Sequence, residues 1–183
     1  MKNTNHSLFD KYEMIKDLGT GSSGSVTLVR HISMDQERAL KKVPKASAFA
    51  ESALSEARLL KSLEHPSIPR IFDFEEDNAF YYIVEEYIDG ETLDSFLLHQ
   101  QLISPGLFFN ICEQLCNVFI YLHTQISTPI IYRDLKPEHI IVCHNKLKLI
   151  DFGVSAYVIQ DGNNFNHYWN IEFSAPECFT EDT

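Results

Sequence analysis

Apolar positions in the first third of the chain fall in three short runs, Tyr12 to Leu18, Ser25 to His31 and Arg38 to Val43. They read as strands set around a glycine-rich turn. The pattern then changes. Ala46 to Leu63 is rich in Ala, Leu, Glu and Lys with apolar residues at helical spacing, and it stops before His65-Pro66, so it predicts a helix. Ile68 to Glu75 and Ala79 to Tyr87 are dense in Ile, Val, Phe and Tyr and predict two further strands. From Thr92 onward the period is helical. Ser104-Pro105 supplies an N-cap followed by proline at the first helical position, opening a long helix that runs to about Gln125. Two short strands are expected around the segments near Asp134 and Asp151.

Composition narrows the class. The 183 residues are 44% hydrophobic and 22% charged, enough apolar material for a core. A formal charge of −11 argues against general affinity for nucleic acid or an anionic membrane. No apolar run reaches membrane-spanning length, and Met1 to Asp10 lacks the apolar centre of a signal peptide. The four cysteines show no zinc-like spacing. Cys112 and Cys116 are spaced for one helix face, which reads as buried thiols more readily than as a ligand pair. A reduced, cytoplasmic protein is the simplest expectation.

The chemistry is concentrated in two strings, Ile131-Tyr132-Arg133-Asp134-Leu135-Lys136-Pro137-Glu138 and Ile150-Asp151-Phe152-Gly153. Each places an aspartate after an apolar, strand-like run, and a lysine follows the first aspartate by two positions. This set suits phosphoryl transfer: one carboxylate orients a hydroxyl nucleophile, the other holds a divalent metal on phosphates, and the lysine neutralises the migrating charge. Upstream, Gly19-Thr20-Gly21-Ser22-Ser23-Gly24-Ser25-Val26 fits G-x-G-x-x-G-x-V, a turn whose backbone amides can approach phosphate oxygens. Any glycine-rich hairpin satisfies that pattern alone. Its place between two strands, rather than before a helix, favours a phosphate-covering hairpin over a dinucleotide-binding turn. Lys41, in Ala39-Leu40-Lys41, follows in the third strand run, where it could bind α- and β-phosphates.

Together these residues resemble the protein kinase family, of the eukaryotic-like Ser/Thr type found in bacteria, over residues 12 to 177. The resemblance implies an α+β, two-lobed fold: an N-lobe (1–88) with a five-stranded antiparallel sheet and one helix, and a mainly helical, incomplete C-lobe (89–183). It implies ATP with Mg2+ or Mn2+ as cofactors and protein serine/threonine hydroxyls as substrates. Asp134 would orient the substrate hydroxyl, Lys136 would stabilise the transferring phosphoryl group, and Lys136-Pro137-Glu138 is the Ser/Thr-type tail. Glu56 would pair with Lys41, with Glu51 as the other candidate. Main-chain groups of Glu86 and Ile88 would hold adenine, and Ala39 would line its site. Asp151 and the residue at position 139 would hold metal. Leu60, Ile71, Tyr132 and Phe152 would form the regulatory spine. Val154 to Ser174 would be the activation loop, closed by Ala175-Pro176-Glu177, with Ser155, Tyr157, Tyr168 and Ser174 its phosphorylatable residues.

Four positions depart from the family pattern. Glu85 stands at the gatekeeper, where it could accept from the adenine amino group or compete with Glu56 for Lys41. Tyr132 replaces a histidine, and Asn170 a threonine. His139 replaces an asparagine whose oxygen binds the second metal, while imidazole suits softer cations than magnesium. His139 therefore turns away, binds manganese, or limits activity. The chain also ends six residues after Glu177, before helices the family usually carries. An exposed apolar stripe on the helix around Leu107 to Leu122, open to self-association or a complementing chain, is the expected consequence. The alternative function is a catalytically impaired, nucleotide-binding pseudokinase or regulatory scaffold.

Overall fold

The computed structural model describes residues 8–21, 24–99, 102–158 and 172–179. They form two compact units. One holds the residues up to Leu63 together with Pro69–Tyr87; the other holds Glu64–Ile68 and the residues from Ile88 onward.

The first unit runs α1 (Leu8–Lys11), β1 (Tyr12–Gly21), β2 (Gly24–His31), β3 (Gln36–Pro44), α2 (Ala50–Lys61), β4 (Ile71–Glu76) and β5 (Phe80–Glu86). The strands make an antiparallel sheet in the order β1-β2-β3-β5-β4. Strand alternation separates two cores. On one face Leu40, Tyr82 and Val84 pack with Leu8, Tyr12 and Val29. On the other, Val43 and Ile83 pack against Ala53 and Ala57 of α2. Each fully buried Val or Ile contributes about 1.5–3 kcal/mol, and both clusters depend on the same two central strands.

Two boundaries and one added element differ from the sequence expectation. The helix begins at Ala50, not Ala46, because Pro44 ends β3 and the chain makes turns first, with Ser47 N–H donating to Pro44 O and Ala50 N–H to Ser47 O. The fourth strand begins at Ile71. Pro69 brings no N–H to a ladder, and Ser67 instead accepts from Leu149 N–H at 2.8 Å within the second unit. The short helix α1 was not expected; Leu8 fills the first core and its N–H donates to Glu75 Oε2 at 2.8 Å.

The second unit contains β6 (Glu91–Thr92), α3 (Leu93–His99), α4 (Pro105–Ile120), a π-helical turn (Tyr121–Gln125), β7 (Ile130–Ile131), a 3₁₀ turn (Pro137–His139), β8 (Ile140–Cys143), β9 (Lys146–Leu149), β10 (Ala156–Tyr157) and a final 3₁₀ turn (Pro176–Phe179). β6, β8 and β9 form one small antiparallel sheet, and β7 pairs with β10. Ser104 caps α4 by accepting from Leu107 N–H at 3.2 Å. Phe108, Phe109 and Ile120 of α4 are at least half exposed among the described residues. The expected burial of both helix thiols does not hold: Cys112 is half-buried and Cys116 exposed, because α4 turns that edge away from its packed side. No described helix is long and apolar enough to cross a membrane.

Gly24 carries the hairpin between β1 and β2. Its φ is +143°, and a Cβ there would lie 2.1 Å from the Lys42 carbonyl oxygen. Gly24→Ala should therefore cost about 1–3 kcal/mol of stability. Gly19→Ala and Gly21→Ala, where a Cβ meets nothing within 4 Å, should stay within about 0.5 kcal/mol; urea unfolding of the three variants checks the contrast.

Candidate active site

The phosphate-side residues lie in the first unit. Gly19 pairs with Val26, Thr20 with Ser25 and Gly21 with Gly24 along the β1–β2 hairpin; Ser22 and Ser23 lie outside the described residues. The space that a side chain would occupy at Gly19 and Gly21 is open. Alternation along β3 puts Ala39, Lys41 and Val43 on one side of the sheet and Leu40 and Lys42 on the other. Lys42 accordingly rides over the Phe80 ring at 4.0 Å. Lys41 reaches α2 and meets Glu56, with Nζ 2.7 Å from Oε2.

Glu56 interrupts an otherwise apolar stripe. Ala53, Ala57 and Leu60 are buried at helical spacing, and Glu56 is buried among them at 7% exposure. Glu51 lies on the exposed face of the same helix. A carboxylate on the buried face needs a cation partner, and that register was readable in the sequence. Glu85 lies on β5 opposite Ala39 and Ile71, half-buried. Glu86 ends the same strand, its N–H donating to Arg70 O at 2.9 Å. Ile88 belongs to the second unit, where its carbonyl accepts from Gly90 N–H at 3.0 Å.

The second unit gathers the two strings. Asp134 is 5% exposed, with Lys136 Nζ 3.3 Å from its Oδ2. Its Oδ1 is buried and has no hydrogen-bond partner among the described residues. His139 does not turn away. It is 8% exposed, with Nδ1 3.0 Å from the Asp134 carbonyl oxygen and 3.4 Å from Oδ2, and Nε2 3.3 Å from Asp151 Oδ2. A carbonyl oxygen only accepts, so Nδ1 carries a proton and Nε2 is the nitrogen turned to Asp151. The 3₁₀ turn that carries His139 packs against α3.

Backbone strain marks both strings. Arg133 and Asp151 adopt φ of 69° and 62°, a region L-residues avoid. Four bonds hold them there. Tyr132 hydroxyl donates to the Ile150 carbonyl, Ile150 N–H to His139 O at 2.8 Å, Arg133 Nε to Val154 O at 2.6 Å, and Ser155 Oγ to Tyr132 O at 3.1 Å. Burial holds Arg133 below the usual guanidinium range. The Tyr132 ring sits edge-on to Phe152 with centroids 5.0 Å apart, and both are almost fully buried. Sequence reasoning treated Tyr132 as a packed aromatic and missed its hydroxyl bond; the tyrosine itself was the available signal, since a buried phenol needs a partner. Asn170 and Tyr168 lie outside the described residues.

Residues 12–183 match the family described as protein kinase domain. The chain belongs to that family. It is 31% identical over 151 residues to serine/threonine-protein kinase PrkC of Bacillus subtilis (strain 168), covering 80% of this chain and 23% of that protein. It is 35% identical to calcium-dependent protein kinase 4 of Plasmodium falciparum (isolate 3D7), over 86% of this chain and 31% of the relative. With serine/threonine-protein kinase pkn2 of Myxococcus xanthus the identity is 29%, over 94% of this chain and 21% of the relative. The chain thus spans less than a third of the length of each of these three proteins. The kinase-like α+β fold, with its five-stranded antiparallel sheet, follows from family and topology together.

Two substitutions test the geometry. Glu56→Ala should lower stability by about 2 kcal/mol or more, since it removes the carboxylate 2.7 Å from the half-buried Lys41 ammonium, whereas Glu51→Ala should stay within about 0.5 kcal/mol; chemical unfolding reads both. Tyr132→Phe should cost about 1–3 kcal/mol by leaving the Ile150 carbonyl without this donor, read as a lower melting temperature.

Proposed function

We propose that this chain is the catalytic part of an ATP-dependent protein kinase that phosphorylates serine and threonine hydroxyls. The observation that carries the reading is Asp134. Its carboxylate is buried, one oxygen faces Lys136, and the other has no hydrogen-bond partner among the described residues. An unmet buried acceptor costs about 1–3 kcal/mol. A substrate hydroxyl would satisfy it, and that contact would orient the nucleophile for attack on the γ-phosphorus. Lys136, two residues on, would stabilise charge on the phosphoryl oxygens. In the first unit, Lys41 held by Glu56 would bind the nucleotide phosphates at the Gly19–Gly24 hairpin, with Ala39 and Glu86 at the adenine; Ile88, the other adenine residue the family resemblance implies, belongs to the second unit. The Lys136-Pro137-Glu138 tail and the Ser/Thr kinase relatives support the choice of hydroxyl.

The family uses a divalent metal with ATP. Asp151 and His139 would hold it here: Nε2 and Oδ2 lie 3.3 Å apart, and the Nδ1 bond to the Asp134 carbonyl fixes the tautomer that frees Nε2. When bound, the metal supplies charge neutralisation on the phosphates. An imidazole–carboxylate pair favours Mn2+ over Mg2+. The test is transfer from radiolabelled ATP to a basic protein, followed by phosphoamino-acid analysis. Wild type should label serine and threonine, and Asp134→Asn should be slower by about a hundredfold or more. His139→Asn should weaken Mn2+ binding, followed by electron paramagnetic resonance with nucleotide present, by about tenfold or more. Nucleotide binding without any transfer by the wild-type chain would point to the pseudokinase alternative.

A further inference from the structure

A second cavity-like site lies wholly within the second unit, in the angle between α4, residues 65–67 and the start of β9. It encloses about 490 Å³, within the range of small-molecule sites. Its walls are pinned. Gln114 Nε2 donates to Asn145 O at 2.9 Å and Gln114 Oε1 accepts from Leu147 N–H at 3.0 Å, which ties the β8–β9 hairpin to α4. On the other side Leu149 N–H donates to Ser67 O at 2.8 Å, and Lys148 Nζ to Ile68 O at 3.4 Å. Tyr121 hydroxyl accepts from Glu64 N–H at 2.8 Å, and its ring lies beside His65 with centroids 5.1 Å apart. A site built this way is largely preorganised.

With the walls so engaged, each remaining polar side chain on the lining can donate a hydrogen bond, Ser67 and Asn117 being able to accept as well. Ser67 is only 6% exposed, yet its hydroxyl has no hydrogen-bond partner among the described residues. Lys146 and Asn117 also line the cavity, and both are exposed. His65 Nδ1 accepts from Ser67 N–H at 3.1 Å, which leaves the neutral ring's proton on Nε2. Burial, and then the Lys148 ammonium, hold His65 below the usual histidine range and keep that neutral form. Lys146 and Lys148 share one face of β9 by strand alternation, a basic locus in a chain of net charge −11. Ile120 and Leu147 supply apolar lining beside these donors.

We propose that this cavity binds a small amphiphilic anion: one carboxylate or phosphate group taken by Lys146, Ser67, Asn117 and His65, and a short apolar body set against Ile120 and Leu147. None of these residues belongs to the phosphate-transfer site proposed above, so the two readings fail separately. The anionic group has two sources, a free organic anion or an acidic side chain flanked by aliphatic ones in a peptide, and the experiment separates them.

Isothermal titration of the chain with hexanoate, hexyl phosphate, hexanol, inorganic phosphate and a blocked tripeptide of aspartate between two leucines tests the proposal. At least one of hexanoate, hexyl phosphate and the tripeptide should bind saturably and one-to-one, more tightly than hexanol or inorganic phosphate. Saturation by hexanoate or hexyl phosphate alone identifies a free anion as the ligand; saturation by the tripeptide identifies a peptide. Lys146→Glu should weaken that binding about tenfold or more, and Ser67→Ala about threefold or more, while nucleotide affinity stays unchanged. Lys146→Gln, which removes the charge without reversing it, guards against misfolding and should weaken binding in the same direction. The proposal is overturned if no anion saturates, if hexanol or inorganic phosphate binds as tightly, or if both Lys146 variants bind like wild type with unchanged melting.

Discussion

The hydrogen bonds that lace the Asp134 string to the Asp151 string are the constraint on which the second unit's chemistry rests. Tyr132 hydroxyl meets the Ile150 carbonyl, and the Ile150 amide meets the His139 carbonyl. The residue between those two anchors and Phe152 is Asp151, held at positive φ, and Arg133 beside Asp134 is held there too. Neither residue would rest in that region unaided, because Cβ crowds the backbone. Two cross-string bonds and the buried Tyr132–Phe152 ring pair overdetermine the geometry, and the strain persists because the surroundings require it.

His139 gives that lacework a chemical consequence. An asparagine at this place would offer an oxygen. The imidazole instead spends Nδ1 on the Asp134 carbonyl and turns Nε2 to Asp151. One side chain thereby couples the carboxylate proposed to orient the nucleophile with the one proposed to hold metal, and the nitrogen it presents favours a softer cation. Among the described residues, Asp134 keeps one buried oxygen without a partner in the same arrangement. A catalytic role is one of the explanations for such an unmet buried polar atom.

In the first unit the corresponding constraint is strand parity. β3 lies at the centre of the sheet between β2 and β5, and each of its side chains must take one face or the other. Lys41 falls on the α2 face with Val43, while Lys42 falls opposite and settles over Phe80. A shift of one residue would exchange the two lysines. The apolar requirements of Leu40 and Val43, which fill different cores, fix the register against that exchange.

Much of this was legible from the residues. The strand runs, the helix with Glu56 in its apolar stripe, the Ser104 cap and the two aspartate strings follow from local periodicity and local chemistry, which depend on neighbours close in sequence. Element edges were less legible: Pro44 and Pro69 moved the starts of α2 and β4, where local turns combine with bonds from residues distant in the chain, Lys45 N–H donating to Ala79 O and Leu149 N–H to Ser67 O. Exposure of Cys116, the turn of His139 between two carboxylates, the Tyr132–Ile150 bond and the donor-lined cavity beside Ser67 were decided only in the folded chain. The sequence by itself determined the family and which residue types could do chemistry, since both reside in short strings. Tertiary structure alone decided which of those groups meet, since a hydrogen bond depends on tenths of an ångström between residues that the sequence places far apart.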